Sequence, residues 1–341
     1  MPRKKKVAAV IVEKVDFKPL MIDALDILAK NELKERNVFK ARAYTKVIGQ
    51  LKNTQGPIYS VEDLDKLQLE GIGKSIKDKL NEIILTGQLK AAIVINNNPE
   101  TILFEELIKI YGVGPVKAKA LISDKKLNIK SIDDLRKELI SDPSLLNDKQ
   151  KIGLKYIEDI QKRIPRTEVI THDNLIKDAF KNEYTDFTTT IVGSYRRGLE
   201  TSGDIDVLVT IPSNTSHDEK TILTHFKNVV ENMSKSGYIT DILALGSKKC
   251  MAFVKLDASK PARRLDILYT IPEEYPYALL YFTGSDKFNI KFRRQTLEQG
   301  YSLSEHGVKK TRDDVKPLTP IHSEKDLFEF FGITYVEPKN R

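Results

Sequence analysis

The sequence predicts an α+β chain of several modules, all-α at the amino end and mixed α/β behind it. Three observations carry that reading. At 341 residues the chain is long for one hydrophobic core, so two to four modules are expected. Between about residues 18 and 163 apolar residues recur at helical spacing, broken by two glycine turns. From Thr188 onward the period drops to two in short apolar runs, the mark of strands.

Taken in order, Leu20, Ala24, Ile27 and Leu28 give a first helix its apolar stripe, and Ala41, Tyr44, Val47, Ile48 and Leu51 give a second, joined around Asn37. Gln55-Gly56-Pro57 breaks the chain, and Ser60 then caps a new helix with Asp63 in place of the usual glutamate. Leu69-Glu70-Gly71-Ile72-Gly73-Lys74 is echoed about forty residues later by Ile110-Tyr111-Gly112-Val113-Gly114-Pro115. Each is a glycine–apolar–glycine turn between helices, the helix-hairpin-helix pattern. Its backbone N–H groups face outward at a helix N-terminus and suit a DNA phosphate whatever the base. One copy would read as an ordinary corner; two, each followed by a lysine within a turn, point to DNA backbone binding. Residues 96–99 read as a linker, and Asp142-Pro143 as a short loop. Residues 188–192, 206–211, 250–256 and 264–269 are the candidate strands, packed by a helix near 219–234. Ser323 starts a capped amphipathic helix that ends at Phe330.

Composition narrows the function classes. Lys and Arg number 56 against 48 Asp and Glu, and the net charge of +8 fits a polyanionic partner. No apolar run approaches the ~18–20 residues of a membrane span, so no membrane role is expected. Residues 1–6, MPRKKK, are followed by only a brief apolar stretch, which is no secretory signal. Residues 2–7 read equally as a nuclear-import signal or as a basic arm on nucleic acid. The single cysteine, Cys250, excludes an internal disulfide and a cysteine zinc cluster and reads as a core thiol.

The chemistry concentrates in residues 191–209, IVGSYRRGLETSGDIDVLV. Strand side chains alternate, so Asp204 and Asp206 share one face, about 6–7 Å apart. Two carboxylates facing together repel unless a cation holds them, and hard oxygen ligands suit Mg²⁺. Asp266, inside the run Arg264-Leu265-Asp266-Ile267-Leu268, supplies a third acid. Three such acids can hold two metal ions about 3.5–4 Å apart for in-line phosphoryl displacement. Alone, an acid–x–acid pair more often lies on the wet face of an edge strand; the Gly193-Ser194 turn, with N–H groups and a hydroxyl for a phosphate, argues against that here.

Gly-Ser, a spacer, the acid pair and a later acid-bearing strand resemble the nucleotidyltransferase superfamily. The runs GSYRRGLETSGDIDVLV, RRLDI and YFTGSDKFN (residues 281–289) resemble a family X DNA polymerase, nearest its beta branch, and the likeness runs almost end to end. The resemblance implies a lyase-like helical domain over 1–94, a helical DNA-binding subdomain with the second hairpin over 95–163, a nucleotidyltransferase palm with a mixed sheet over 164–271, and a small α+β subdomain over 272–341 that binds the nascent base pair. It implies that Asp204 and Asp206 bridge two Mg²⁺ ions, with Mn²⁺ as a substitute. Asp266 would hold one of them and accept the primer 3′-hydroxyl proton, with Arg264 steadying it. Ser194, Arg197 and the Gly203 N–H would hold the triphosphate. Tyr281, Phe282 and Gly284 would press on the sugar, Asp286 would cover the base, Asn289 would reach its minor-groove edge, and Arg293 would sense the template. Glu305 would pair with a palm arginine, and His306 stands where relatives carry an aromatic. Arg196 is left unassigned, its plain reading being an exposed charge.

The amino-terminal module resembles a 5′-deoxyribose-phosphate lyase. Lys79 stands at the Schiff-base position, with Lys74, Lys77 and Lys40 expected nearby, since clustered cations favour a free amine that can attack an aldehyde. Lys40, Tyr44 and Lys74 would hold the 5′-phosphate; Ser75 and Phe39 depart from the family's lysine and histidine. Gly71, Gly73, Gly112 and Gly114 would contact DNA. The carbonyls of Leu67, Leu69 and Ile72, and of Ile108, Ile110 and Val113, would each hold a monovalent cation, Na⁺ or K⁺. The resemblance thus implies a nuclear, monomeric, gap-filling DNA polymerase with lyase activity, acting in base excision repair on gapped or nicked duplex and deoxynucleoside triphosphates. No proofreading exonuclease motif or BRCT-like module is visible, and the identity of any repair partner cannot be read from the sequence. The alternatives are a template-independent, terminal-transferase-like enzyme and a non-catalytic DNA-end-binding protein.

Overall fold

The computed structural model describes residues 14–213, 218–311 and 321–341; the basic stretch at residues 2–7 lies outside them. The chain forms two compact units, Met1–Asn147 and Asp148–Arg341. Among its described residues the first holds helices and no strand: α1 (Lys18–Lys34), α2 (Val38–Asn53), α3 (Val61–Lys66), α4 (Lys74–Thr86), α5 (Lys90–Asn96), α6 (Pro99–Leu107), α7 (Pro115–Ser123) and α8 (Ile132–Ser141). Its apolar stripes meet in a core that includes Met21, Leu25, Leu28, Val47, Leu51, Leu80 and Ile83. The buried stripe of α1 runs through Met21, Leu25 and Leu28 at helical spacing. Of the expected stripe, Ala24 and Leu28 are buried, Ile27 is only partly covered and Leu20 is exposed. Ser60 caps α3 by accepting from the Asp63 N–H, and the Asp63 carboxylate reaches back to the Tyr59 N–H.

The second unit begins with α9 (Asp148–Lys155), α10 (Ile157–Ile160), β1 (Ile164–Pro165) and α11 (Arg166–Glu183). It continues through β2 (Thr188–Ile191), α12 (Gly193–Arg196), β3 (Thr201–Ser202), β4 (Ile205–Thr210), α13 (Glu219–Lys235), β5 (Ile239–Leu245), β6 (Lys249–Val254) and β7 (Arg263–Tyr269). Five strands form one sheet in the order β2-β4-β7-β6-β5, with β4 and β7 parallel and the other pairs antiparallel. The period of two sorts the side chains. Ile205, Val207 and Val209 of β4, with Leu265 and Ile267 of β7, enter the main core, where Phe180 of α11 and Phe226 and Val229 of α13 cover them. Asp206 and Asp266 alternate with these residues and so occupy the opposite face. On that face Leu208, Leu268 and Val192 meet Ala278.

Ala278 belongs to α14 (Tyr275–Thr283), which is followed by α15 (Asp286–Glu298), the hairpin β8 (Tyr301–Ser304) and β9 (Gly307–Lys310), and α16 (Glu324–Phe330). These pack around Leu280, Phe292, Val308, Leu327, Phe328 and Phe331. A capping box between Ser323 and Asp326 opens α16 as expected. Cys250 is fully buried, as its solitary occurrence suggested. Strand β5 escaped the sequence pattern because two register shifts against β6 interrupt its alternation.

Candidate active site and lysine groove

The acid cluster is fixed by strand register. Asp206 of β4 lies opposite Asp266 of β7 in a parallel pair, and Asp204 stands two residues before Asp206 at the mouth of the strand. One oxygen from each carboxylate lies within 4.8 Å of the others. Burial, then Asp204 and Asp266, push the Asp206 carboxyl up to about 8; burial raises Asp266 as well, with Arg264 opposing it. The Arg264 guanidinium lies 2.7 Å from Asp266 Oδ2 and 3.5 Å from Asp204 Oδ2. Asp266 Oδ1 is buried with no hydrogen-bond partner. A close set of hard oxygens, one of them buried without a partner, fits a divalent cation.

Glycine 193 makes room for this. Its φ is +56°, and a Cβ there would lie 2.1 Å from Asp206 Oδ2. The short α12 that follows carries Ser194 and the two arginines. Arg197 Nη1 donates to the Thr283 carbonyl at 2.6 Å and lies against Gly284, where a Cβ would meet it at 3.2 Å. Ser194 and Arg197 therefore share a corner with the end of α14. Gly203 faces Arg163, whose guanidinium donates to the Thr201 carbonyl. Arg196 is not the exposed charge that its plain reading suggested: it makes two bonds to the buried Glu324, 2.5 and 3.0 Å, and one to Thr283 Oγ1. Arg341 joins the same carboxylate at 2.7 Å.

Residues 281–289 form a helix–glycine–helix corner in which Gly284, with positive φ, ends α14 and Ser285 caps α15. Asn289 donates to the Tyr281 carbonyl at 2.7 Å, and Arg293 lies over the Tyr281 ring at 4.6 Å. Phe282 packs partly into the cluster around Leu208, and Asp286 is exposed at the start of α15. Glu305 departs from expectation. It pairs at 3.4 Å with Arg293 of α15, which lies outside residues 164–271. His306 Nδ1 lies 2.9 Å from a Glu274 carboxylate oxygen.

In the helical unit, Lys79 lines a groove of about 750 Å³ with Lys74, Ser75, Asp78, Glu82 and Lys90. Its Nζ donates to Ser75 Oγ at 2.7 Å and to the Ser75 carbonyl at 3.2 Å. The expected cluster of four lysines is not assembled in this groove. Lys77 is drawn to Asp65 at 2.8 Å and Lys40 to Glu32 at 3.7 Å, because carboxylates on neighbouring elements compete for them. Tyr44 is buried in the core, where burial raises its hydroxyl pKa. Phe39 is 88% exposed.

At the first hairpin Gly71 takes φ +69° and Gly73 caps α4; at the second Gly112 takes φ +82° and Gly114 caps α7. Leu67, Leu69 and Ile72 pack against the core, Ile110 and Val113 are buried, and Ile108 caps α6. The Ile110 carbonyl accepts the Val113 N–H at 3.0 Å. The sequence reading missed Gln50, which clasps the backbone of Glu70 through both its amide atoms at 3.0 and 2.8 Å. It also missed Arg166, stacked on Tyr195 at 3.8 Å and bonded to that residue's carbonyl. Arg166 and Tyr195 stand 29 residues apart, and no local pattern signals that pair.

Four family models match the chain. They are described as DNA polymerase beta palm, over residues 163–273; DNA polymerase beta thumb, over 278–341; helix-hairpin-helix domain, over 16–89; and fingers domain of DNA polymerase lambda, over 105–161. The chain is 30% identical to DNA polymerase lambda of Rattus norvegicus over 333 residues, which cover 94% of this chain and 55% of the relative. It is 28% identical to DNA polymerase lambda of Arabidopsis thaliana, over 82% of this chain and 54% of that one. It is 27% identical to DNA nucleotidylexotransferase of Xenopus laevis, over 96% and 68%. The chain thus spans about half the length of the two polymerases lambda.

Proposed function

The chain belongs to the family X DNA polymerases, and from that premise we propose that it is a template-directed, gap-filling DNA polymerase with 5′-deoxyribose-phosphate lyase activity, acting in base excision repair. The observation that carries the polymerase reading is the acid triad, with carboxylate oxygens within 4.8 Å of one another on strands in register. Two Mg²⁺ ions, or Mn²⁺, would be held by Asp204, Asp206 and Asp266 and would supply Lewis acidity at the reacting phosphate. Asp266 accepts the proton of the primer 3′-hydroxyl, for which its partnerless Oδ1 is suited. Arg264 steadies that carboxylate from 2.7 Å. Ser194 and the N–H of Gly203 hold triphosphate oxygens, and Arg197 turns to them from the Thr283 carbonyl. Tyr281, Phe282 and Gly284 receive the sugar. Asp286, Asn289 and Arg293 address the base pair.

The helical unit grips the DNA backbone at its two hairpins, with Na⁺ or K⁺ on the turn carbonyls. Lys79 attacks the sugar aldehyde, while Lys74, which lines the same groove, receives the 5′-phosphate; Lys40, drawn to Glu32, and Tyr44, buried in the core, are not placed for it. The four segments 1–94, 95–163, 164–271 and 272–341 carry these tasks. The substrates are gapped or nicked duplex and deoxynucleoside triphosphates, and the protein works as a nuclear monomer. Among the described residues no helix is long and apolar enough to cross a membrane.

The similarity to a nucleotidylexotransferase favours a second reading, untemplated addition to a free end. Mg²⁺-dependent extension separates the two. A primer in a one-nucleotide gap should be extended by the templated base far faster than a single-stranded primer. Equal rates on both, without base selection, would replace the first reading with the second. No extension on either would leave a DNA-end-binding protein.

A further inference from the structure

On the reading that Lys79 is the lyase nucleophile, we propose that the Ser75 hydroxyl is its proton relay, so that a serine–lysine pair forms the Schiff base. The two residues stand four apart on α4, which puts them on one face of the helix. Lys79 Nζ lies 2.7 Å from Ser75 Oγ, and both side chains line the groove shared with Lys74 and Lys90. The groove's acids are less well placed. A Glu82 oxygen already accepts the Lys90 N–H at 2.8 Å, at the turn into α5, and Asp78, although it lines the groove, makes no bond to the Lys79 amine, which donates to Ser75. Ser75 is therefore the group in contact with the amine, and a hydroxyl can both accept and donate.

The substrate is the ring-opened sugar at a 5′ end, whose aldehyde carbon is electrophilic. The free-amine lone pair of Nζ forms the C–N bond while the carbonyl π pair moves onto oxygen. Nitrogen then sheds a proton to Ser75 Oγ, and the hydroxyl gives its own proton to the new alkoxide, leaving serine unchanged. In the second step the same relay carries the nitrogen's remaining proton to the carbinol hydroxyl, which leaves as water as the nitrogen lone pair closes the imine. One amine and one aldehyde thus yield one imine and one water. The groove's two cations, Lys74 and Lys90, flank the pair and suit the sugar's phosphate.

The test uses the full chain on incised abasic DNA, reading single-turnover borohydride trapping, DNA affinity and gap filling side by side. Ser75→Ala should slow trapping about a hundredfold, the lower end of the range for positioned proton transfer. Affinity and gap filling should stay within twofold of wild type. Ser75→Thr should restore trapping, and imidazole buffer should partly rescue Ser75→Ala, which a purely structural role would not show. Trapping by Ser75→Ala at the wild-type rate overturns the relay while leaving Lys79 in place. Loss with Glu82→Gln but not with Ser75→Ala moves the relay to Glu82 and overturns it too. If wild type is not trapped, or Lys79→Ala is trapped as well as wild type, the lyase assignment itself fails, and the relay falls with it.

Discussion

The acid cluster and the lysine groove are held by different means. Asp206 and Asp266 are fixed by backbone register between parallel strands, under a helix and beside a glycine that leaves no room for a methyl group. Lys79 and Ser75 are side chains on the exposed face of one helix, met through ordinary four-residue spacing. The first arrangement stores electrostatic repulsion in a rigid frame, since three carboxylates each place an oxygen within 4.8 Å of the others. The second stores little and can be rearranged by rotating a side chain. Substitutions next to the acids should therefore be costly in both fold and chemistry. Substitutions in the groove should cost chemistry alone.

The largest expected effect is that of Asp206→Asn. Nucleotide addition into a one-nucleotide gap should fall by at least about a thousandfold, because a charge needed by the reacting phosphate is lost. Gapped-DNA binding should persist, and the metal-free protein should melt at a higher temperature once a repelling carboxylate is neutralised. Extension within tenfold of wild type would remove the acids from the centre of the comparison.

Next comes Gly193→Ala. The added Cβ would sit 2.1 Å from Asp206 Oδ2 at φ +56°, so backbone or carboxylate must move. A loss of ~2 kcal/mol or more in chemical denaturation, with extension down about a hundredfold, is expected. Gly73→Ala sharpens the contrast. Gly73 caps α4 with extended backbone and nothing within 4 Å of a Cβ, so its replacement should change stability by less than ~1 kcal/mol. Equal damage from the two would show that the hairpin is as tightly built as the acid site.

The palm's rigid frame should also announce itself in pH. His172, fully buried and bonded to the Tyr238 hydroxyl at 2.7 Å, is held neutral; burial lowers its pKa to about 4, helped by Arg263 and opposed by Glu168. A histidine with a lowered folded pKa is stabilising only while the unfolded chain is also neutral. Stability should be full above about pH 6.5 and should fall as the pH drops towards 4, by up to ~3 kcal/mol. Urea melts at pH 7.5 and pH 5 would check this, and His172→Gln should flatten the difference. An unchanged difference in that variant would assign the pH dependence to other groups.

How much of this was legible in the sequence follows from where the information lies. The helical unit and the core strands were readable because period and burial coincide: Val207 and Val209 point inward while Asp206 points out. The acid triad was readable because two of its members are two residues apart and the third sits in its own apolar run. The groove was readable as a set of lysines but not as a geometry, since only folding reveals that Asp65 and Glu32 claim Lys77 and Lys40. Arg196 and Glu324 lie 128 residues apart, and no local pattern announces such a pair. The same holds for the exchange of a palm arginine for Arg293 as the partner of Glu305. Strand β5 was lost for a different reason, because its two irregularities break the alternation on which recognition depends.

The smallest expected effect tests whether the hairpin is a local device. Gln50 on α2 donates to the Glu70 carbonyl at 3.0 Å and accepts the Glu70 N–H at 2.8 Å, holding the residue just before Gly71. Both bonds are exposed, so water replaces them at little cost, and Gln50→Ala should lower stability by only about 1 kcal/mol. The consequence for DNA is more specific. Loosening the turn spreads the N–H groups that face a phosphate, so gapped-DNA affinity should fall about two- to threefold, most visibly at low salt where phosphate contacts dominate. Gln50→Glu is the finer probe, because a carboxylate keeps the acceptor for the Glu70 N–H and loses the donor to its carbonyl. It should fall between wild type and alanine in affinity once screened by moderate salt. Maximal extension at saturating DNA should be unchanged in both variants, since the acids sit in a different compact unit. A fall in that maximal rate comparable to Gly193→Ala would mean the hairpin and the acid cluster are coupled, and that the contrast between a rigid site and a tolerant one does not hold.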